Sequence, residues 1–421
     1  MRMTLTQERH ATREQVVRIV PVESSAITQG TVSRISPFVG LRYDGTRVAP
    51  LERVTTPPYD TIGPADQRRY LSADPHNVIR IDFPEERPHD GEADKYRRAA
   101  GFLRAWRDEG VLVETPRPSY YPYEMRFAYH GTERTIRGLI CAVELEDWGG
   151  SIRPHEHTMP GPIEDRLRLM RATAANLSAI QAVFAASSDL LGDLLRAATA
   201  TAPEAELTDE QGVRHRVWIT PAERDDPISA SLADVPLMIA DGHHRYTTAL
   251  RYRDEMRARG GAGPWDDVMM LIVDAASQDL PVLPFHRVLR SGPSPVGGDR
   301  VRDLEEVLSE VADDKLRYGV AARGPDGSLE HRVAELVGDP PTVCALHDQV
   351  LASRDADLTF TPDPVEAELA VRAGDAVAAF ILPATNALRI RDVVARGDRL
   401  PQKSTFFYPK PRTGLVIRPL G

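Results

Sequence analysis

Apolar positions in this chain follow more than one rhythm. Residues 119–145, "SYYPYEMRFAYHGTERTIRGLICAVEL", alternate on both sides of His130-Gly131 and predict a β-hairpin. Behind Pro162 the apolar residues Ile163, Leu167, Met170, Ala174 and Leu177 recur at helical spacing. They predict a long helix over about 162–187. Short apolar runs predict strands at 214–220 ("RHRVWIT"), 236–240 ("PLMIA"), 268–275 ("VMMLIVDA") and 375–383 ("DAVAAFILP"). Further helices are expected at about 64–73, at about 91–109 before Gly110, and at about 243–259. The order strand, helix, strand over 236–275 predicts a crossover unit in a mixed sheet.

These elements predict an α+β fold. Residues 1–33 are weakly patterned and read as an N-terminal extension. Residues 34–291 read as a mixed-sheet catalytic core. Residues 292–380 are punctuated by "GPSPVGGD", "RGPDGS" and "GDPP", and read as an accessory α/β lobe or insertion with little direct chemistry. Residues 381–421 read as a return to the core.

Composition narrows the function classes. The 421 residues are enough to bury a large core. A net charge of −10 disfavours a nucleic-acid partner. No apolar run is long enough to span a membrane, and the N-terminus lacks an apolar signal core. With only two cysteines, Cys141 and Cys344, the expected location is a reducing cytoplasm. Of 52 basic side chains only Lys95, Lys315, Lys403 and Lys410 are lysines, and two of those fall within "PQKSTFFYPK".

The densest chemistry is "IADGHHRYTTAL". A buried strand runs into Asp241-Gly242, and His243, His244 and Arg245 open a helix. The helix N-terminus offers unpaired N–H groups and a positive dipole end. Asp241 can cap the helix, Gly242 lets a ligand approach, and the histidines and arginine suit a phosphate. Asp241 could also hold Mg²⁺ or accept a proton. A second cluster, "SIRPHEHTMPGPIEDRLRLMRATAANLSAI", sets His155, Glu156, His157 and Thr158 before a helix carrying Arg166 and Arg171, with Asn176 beyond. These read as substrate contacts. His286 ends a strand in "LPFHRVLRS", and Lys403, Ser404 and Thr405 suit a phosphate or carboxylate.

From about Ser36 to Leu420, "PPYDTI", "PHEHTMPGPIEDRLRLMRATAANLSAI", "IADGHHRYTTAL" and "LPQKSTFFYPK" resemble the bacterial family called domain of unknown function 1015. More distantly, "ADGHHRY" resembles the signature of the ParB/sulfiredoxin-like fold and of the free-serine kinases within it. That resemblance implies a kinase passing a phosphoryl group from ATP or ADP, with Mg²⁺, to a small hydroxy amino acid, L-serine first. It carries Asp241, Gly242, His244 and Arg245 onto phosphate and metal handling, with His243 beside them. The base it implies is an acidic residue from the N-terminal part, with Asp60 first and Glu52 and Asp82 as alternatives. Two other readings stand beside it. One is a metal-dependent phosphatase or hydrolase using His155, His157, His243, His244 and Asp241. The other is a non-catalytic nucleotide-binding regulator.

Overall fold

Alternation builds the centre of the molecule. The computed structural model describes residues 34–421 except 49, 157–159, 186–188, 224–225, 234, 279, 294–296, 325, 340, 352–353, 355–356 and the side chains of 160–162. Ser119–Tyr129 (β1) and Thr132–Glu144 (β2) pair antiparallel, with Tyr129 opposite Thr132. His130 and Gly131 both have positive φ, 48° and 74°. A two-residue hairpin turn that matches the twist of its strands needs that combination.

The hairpin lies inside a ten-stranded mixed sheet. Its other main strands are Ile152–Pro154 (β3), Ile180–Phe184 (β4), Ala205–Thr208 (β5), Arg214–Val217 (β6), Leu237–Asp241 (β7) and Asp267–Asp274 (β8). The order is β3-β7-β4-β8-β2-β1-β6-β5. β7 runs parallel to β3 and antiparallel to β4, while β8 runs parallel to β4. The strands flanking the 243–260 helix therefore oppose each other with β4 between them. They do not form the parallel crossover that their sequence order predicts.

The expected helix over 162–187 is split. The helix is Pro160–Thr173 (α1), and it stops at Ala174, whose φ is +44°. Ala175–Asn176 then pairs with Arg418–Pro419, and Ile180–Phe184 becomes β4. All five β4 residues are buried between two strands. A strand covered on both faces reads as a continuous apolar run, which periodicity does not separate from a helix.

His243–Gly260 (α2) packs on α1, where the Thr248 hydroxyl donates to the Ile163 carbonyl at 3.3 Å. Pro281–Pro284 (β9) is the middle strand of a separate three-stranded sheet, and His286–Leu289 (β10) enters a six-stranded antiparallel sheet with strands between 299 and 381. One apolar cluster runs from Tyr123 and Val273 in the first sheet to Val320 and Phe380 in the second. The described residues from 34 to 421 form one compact unit. Near the end of the chain, Thr405–Phe407 (β11) pairs with β9, Thr413 with Thr56 and Ile417 with Leu41. These pairings bring the last residues beside the first described ones.

Candidate functional site

Four segments distant in sequence meet where β7 gives way to α2. A bulge shifts the β7–β4 register between Ile239 and Asp241, and Asp241 still pairs with Gln181 at the strand end. Gly242 then turns the chain at φ 99° as the residue preceding α2, and no side chain caps the helix. The predicted Asp241 cap does not form, because Asp241 is still the last residue of the strand. Its carboxylate turns to two cations: Oδ2 accepts from Arg245 Nη2 at 2.5 Å, and Oδ1 from the Lys410 ammonium. Burial alone would raise the Asp241 carboxyl. Lys410 and Arg245 outweigh it and hold the group well below the usual carboxylate range.

Arg245 is buried, and its guanidinium is committed to protein partners. Its Nη1 donates to the Ala179 carbonyl (2.6 Å) and to the Ser178 hydroxyl (3.2 Å). A Cβ on residue 242 would lie 3.0 Å from Arg245 Nε, so glycine lets the guanidinium fold under the turn. In this arrangement Arg245 fastens Asp241. Lys410, which the sequence reading left out of the site, holds Asp241 from the other side. It lies 3.8 Å from Asp60 and 5.1 Å above the Phe406 ring.

Glu156 explains the strip Lys403–Thr405. The backbone N–H of Lys403 donates to its Oε2, and those of Ser404 and Thr405 to its Oε1, each at 3.0 Å. The Thr405 hydroxyl adds a fourth bond at 2.9 Å. Lys403 itself has φ +53°. Successive N–H groups turned one way make an anion-binding concavity, and here the anion is the protein's own carboxylate. Burial pushes the Glu156 carboxyl up, but His155, His243 and Thr405 bring it down to about 2.

His155 is buried, with Nδ1 2.5 Å from the Ile239 carbonyl and Nε2 2.5 Å from the Thr405 hydroxyl. The carbonyl can only accept, so Nδ1 carries a proton. The His155 backbone N–H donates to His243 Nε2 at 3.2 Å. Burial first, then the neighbouring His155, takes His243 down to about 3, so it is neutral at pH 7. His244 is lowered by burial and by Lys403.

Asp60 comes from the single 3-10 turn Tyr59–Thr61 after Pro57-Pro58. Its side chain is 29% exposed and faces Lys410. Behind it, Arg166 lies 4.0 Å over the Tyr59 ring, donates to the Asp82 carbonyl at 2.5 Å and pairs with Asp165.

An open cleft of about 680 Å³ is therefore lined by Asp60, His155, Glu156, Asp241, Gly242, His243, His244, Arg245, Lys403 and Thr405. Tyr59, Phe285, Gln402 and Lys410 complete much of its wall, and the sequence reading had selected none of them. The available signal was scarcity: two of the four lysines of an arginine-rich chain line this cleft. A compact ammonium fits between two carboxylates where a planar fork does not.

Other expected residues take different partners. Arg166 stands behind Tyr59. Arg171 pairs with Glu255 on the outside of α1. Asn176 accepts from the Met269 N–H and from Arg418. His286 Nδ1 accepts from the Leu382 N–H, and burial takes that imidazole down to about 4. The Ser404 hydroxyl donates to the Pro401 carbonyl. His157 and Thr158 lie outside the described residues. Of the alternative bases, Asp82 is buried beside Arg166, and Glu52 lies by Thr208.

A magnesium ion on Asp241 does not fit this arrangement, because both carboxylate oxygens already hold cations. Among the described residues no three His, Cys, Asp or Glu side chains converge as metal ligands. Nor is any described helix long and apolar enough to cross a membrane.

The fold and site define a mixed α+β protein with a charged cleft at a helix N-terminus. Residues 35–333 match the family described as Protein of unknown function (DUF1015), and the chain belongs to that family. Among solved structures, a free serine kinase in complex with AMP aligns at 14% identity and TM-score 0.34, over 63% of this chain and 88% of that one. A conserved hypothetical protein from Pyrococcus furiosus aligns at 13% and 0.33, over 63% and 92%. SbnI with a C-terminal truncation, from Staphylococcus aureus, aligns at 12% and 0.32, over 66% and 87%. No curated protein matches the chain.

Proposed function

We propose that the chain transfers a phosphoryl group from ATP or ADP to the hydroxyl of a free amino acid, L-serine to O-phospho-L-serine in the first instance. One observation carries this reading. A helix N-terminus without a side-chain cap shares a cleft with two lysines and the partly exposed carboxylate of Asp60. Phosphoryl transfer asks a protein chiefly for positioning and charge neutralisation. The first turn of α2, Lys403 and His244 receive the phosphate oxygens. Asp60 takes the hydroxyl proton as the substrate oxygen bonds to phosphorus. The bond from phosphorus to the bridging oxygen breaks, and the nucleotide leaves with that electron pair. Lys410 holds Asp60 and Asp241 together and offsets charge at the centre. Arg245 and Glu156 position what surrounds it, and no step runs through a metal.

The test is formation of phosphoserine from L-serine with ATP or ADP, followed by phosphorus NMR. Asp60→Asn is expected to lower turnover by about 10²–10⁴, the range for a general base, with nucleotide binding retained. If neither donor gives product with serine, threonine or homoserine, the kinase reading is wrong.

A further inference from the structure

We propose that a second cavity, which shares Lys410 as a wall with the cleft, holds the nucleoside of the phosphoryl donor, its base stacked on Tyr408. This rests on the kinase reading and assigns the donor's place within it. The cavity has about 700 Å³ of empty space, part of it open to solvent. The segment Pro57–Ile62 divides the two spaces: Tyr59 and Asp60 face the cleft, while Pro57, Thr61 and Ile62 face the second cavity. A ligand in the second cavity therefore meets the cleft at Lys410, on whose other side Asp60 stands.

The walls suit a nucleoside. Alternation along β11 buries Thr405 and Phe407 and leaves Phe406 and Tyr408 partly exposed. Those two rings are 25° from parallel with centroids 6.4 Å apart, and Phe127 meets Tyr408 edge-on at 5.3 Å, which fixes its plane. Every base has a π-face that such a ring can stack on. Arg412 also lines the cavity, its side chain 1% exposed. It donates to the Thr55 carbonyl and to Glu210 Oε2, both at 2.9 Å. Its Nε has no hydrogen-bond partner among the described residues. Glu210, 34% exposed, also accepts from the Tyr70 hydroxyl. A carboxylate has about four acceptor sites, so Glu210 keeps lone pairs for ribose hydroxyls.

Calorimetric titration of the full chain with ATP, adenosine and inorganic tripolyphosphate tests this. Tyr408→Leu keeps an apolar side chain against Phe127 and removes the stacking face. It is expected to weaken ATP and adenosine about 5- to 150-fold, the value of one stacked base. Tripolyphosphate should bind as before, and Tyr408→Phe should bind all three normally. Unchanged ATP affinity in Tyr408→Leu, or an equal loss for tripolyphosphate, overturns the assignment. If Tyr408→Leu does not fold, Glu210→Gln takes its place. The wild-type preference for adenosine over 2′,3′-dideoxyadenosine should then disappear, and a preference that persists counts against the site. Tyr408-dependent adenosine binding with no product from serine, threonine or homoserine would uphold this cavity and remove the kinase reading. Phosphoserine formation with an ATP affinity indifferent to Tyr408→Leu would do the reverse.

Discussion

Replacing Lys410 with methionine tests the arrangement at Asp241 most directly. The ammonium is 10% exposed and Asp241 12% exposed, so both charges are withdrawn from water. Breaking a buried pair by removing one partner costs about 3–5 kcal/mol, because the remaining charge stays buried. Arg245 still holds Oδ2, so the lower end of that range, about 3 kcal/mol at pH 7, is expected. The pH dependence has a definite sign. In the wild type the folded carboxyl lies below its unfolded value of about 3.9, so its stabilisation is full above that pH and is lost as pH falls through it. In Lys410→Met, burial acts with one opposing cation fewer, and the folded pKa rises. The deficit between the proteins should therefore be full at pH 7 and shrink only as pH falls below about 4, towards about 2. Urea unfolding across this range measures it. Asp241→Asn in both backgrounds closes a double-mutant cycle, and a coupling above about 1 kcal/mol is expected. A deficit below about 1 kcal/mol at pH 7, or one that stays constant from about pH 4 to about pH 2, would refute the reasoning.

Two further outcomes follow from the same geometry. Gly242→Ala places a Cβ at φ 99° and 3.0 Å from Arg245, and should cost about 1–3 kcal/mol by thermal or urea unfolding. A neutral result would mean that the turn relaxes without strain. His243, depressed to about 3, should show no imidazole titration by NMR between pH 5 and 8. A midpoint near 6.5 would show that the ring is solvated and that its contact with His155 is not maintained.

The sequence by itself determined what depends on neighbours along the chain. The β1–β2 hairpin was legible because its alternation and its His130-Gly131 turn lie within 27 residues. The strand–Asp241-Gly242–helix junction was legible for the same reason: a buried strand, a residue able to take positive φ and a helix start are all local. The two polar clusters around 155 and 403 were visible as compositions without partners. Tertiary structure decided what those groups hold. Glu156 fills the anion-binding turn at Lys403–Thr405 across a separation of 247 to 249 residues, so a strip that reads as a phosphate site binds a carboxylate instead. Asp241 turned out to hold Lys410, 169 residues away, rather than to cap its own helix. The strand at Ile180–Phe184 was hidden because a fully covered strand has no polar face to mark its period. Local pattern sets which elements form. Pairing between charges depends on which chain ends the sheet brings together, and no local rhythm encodes that.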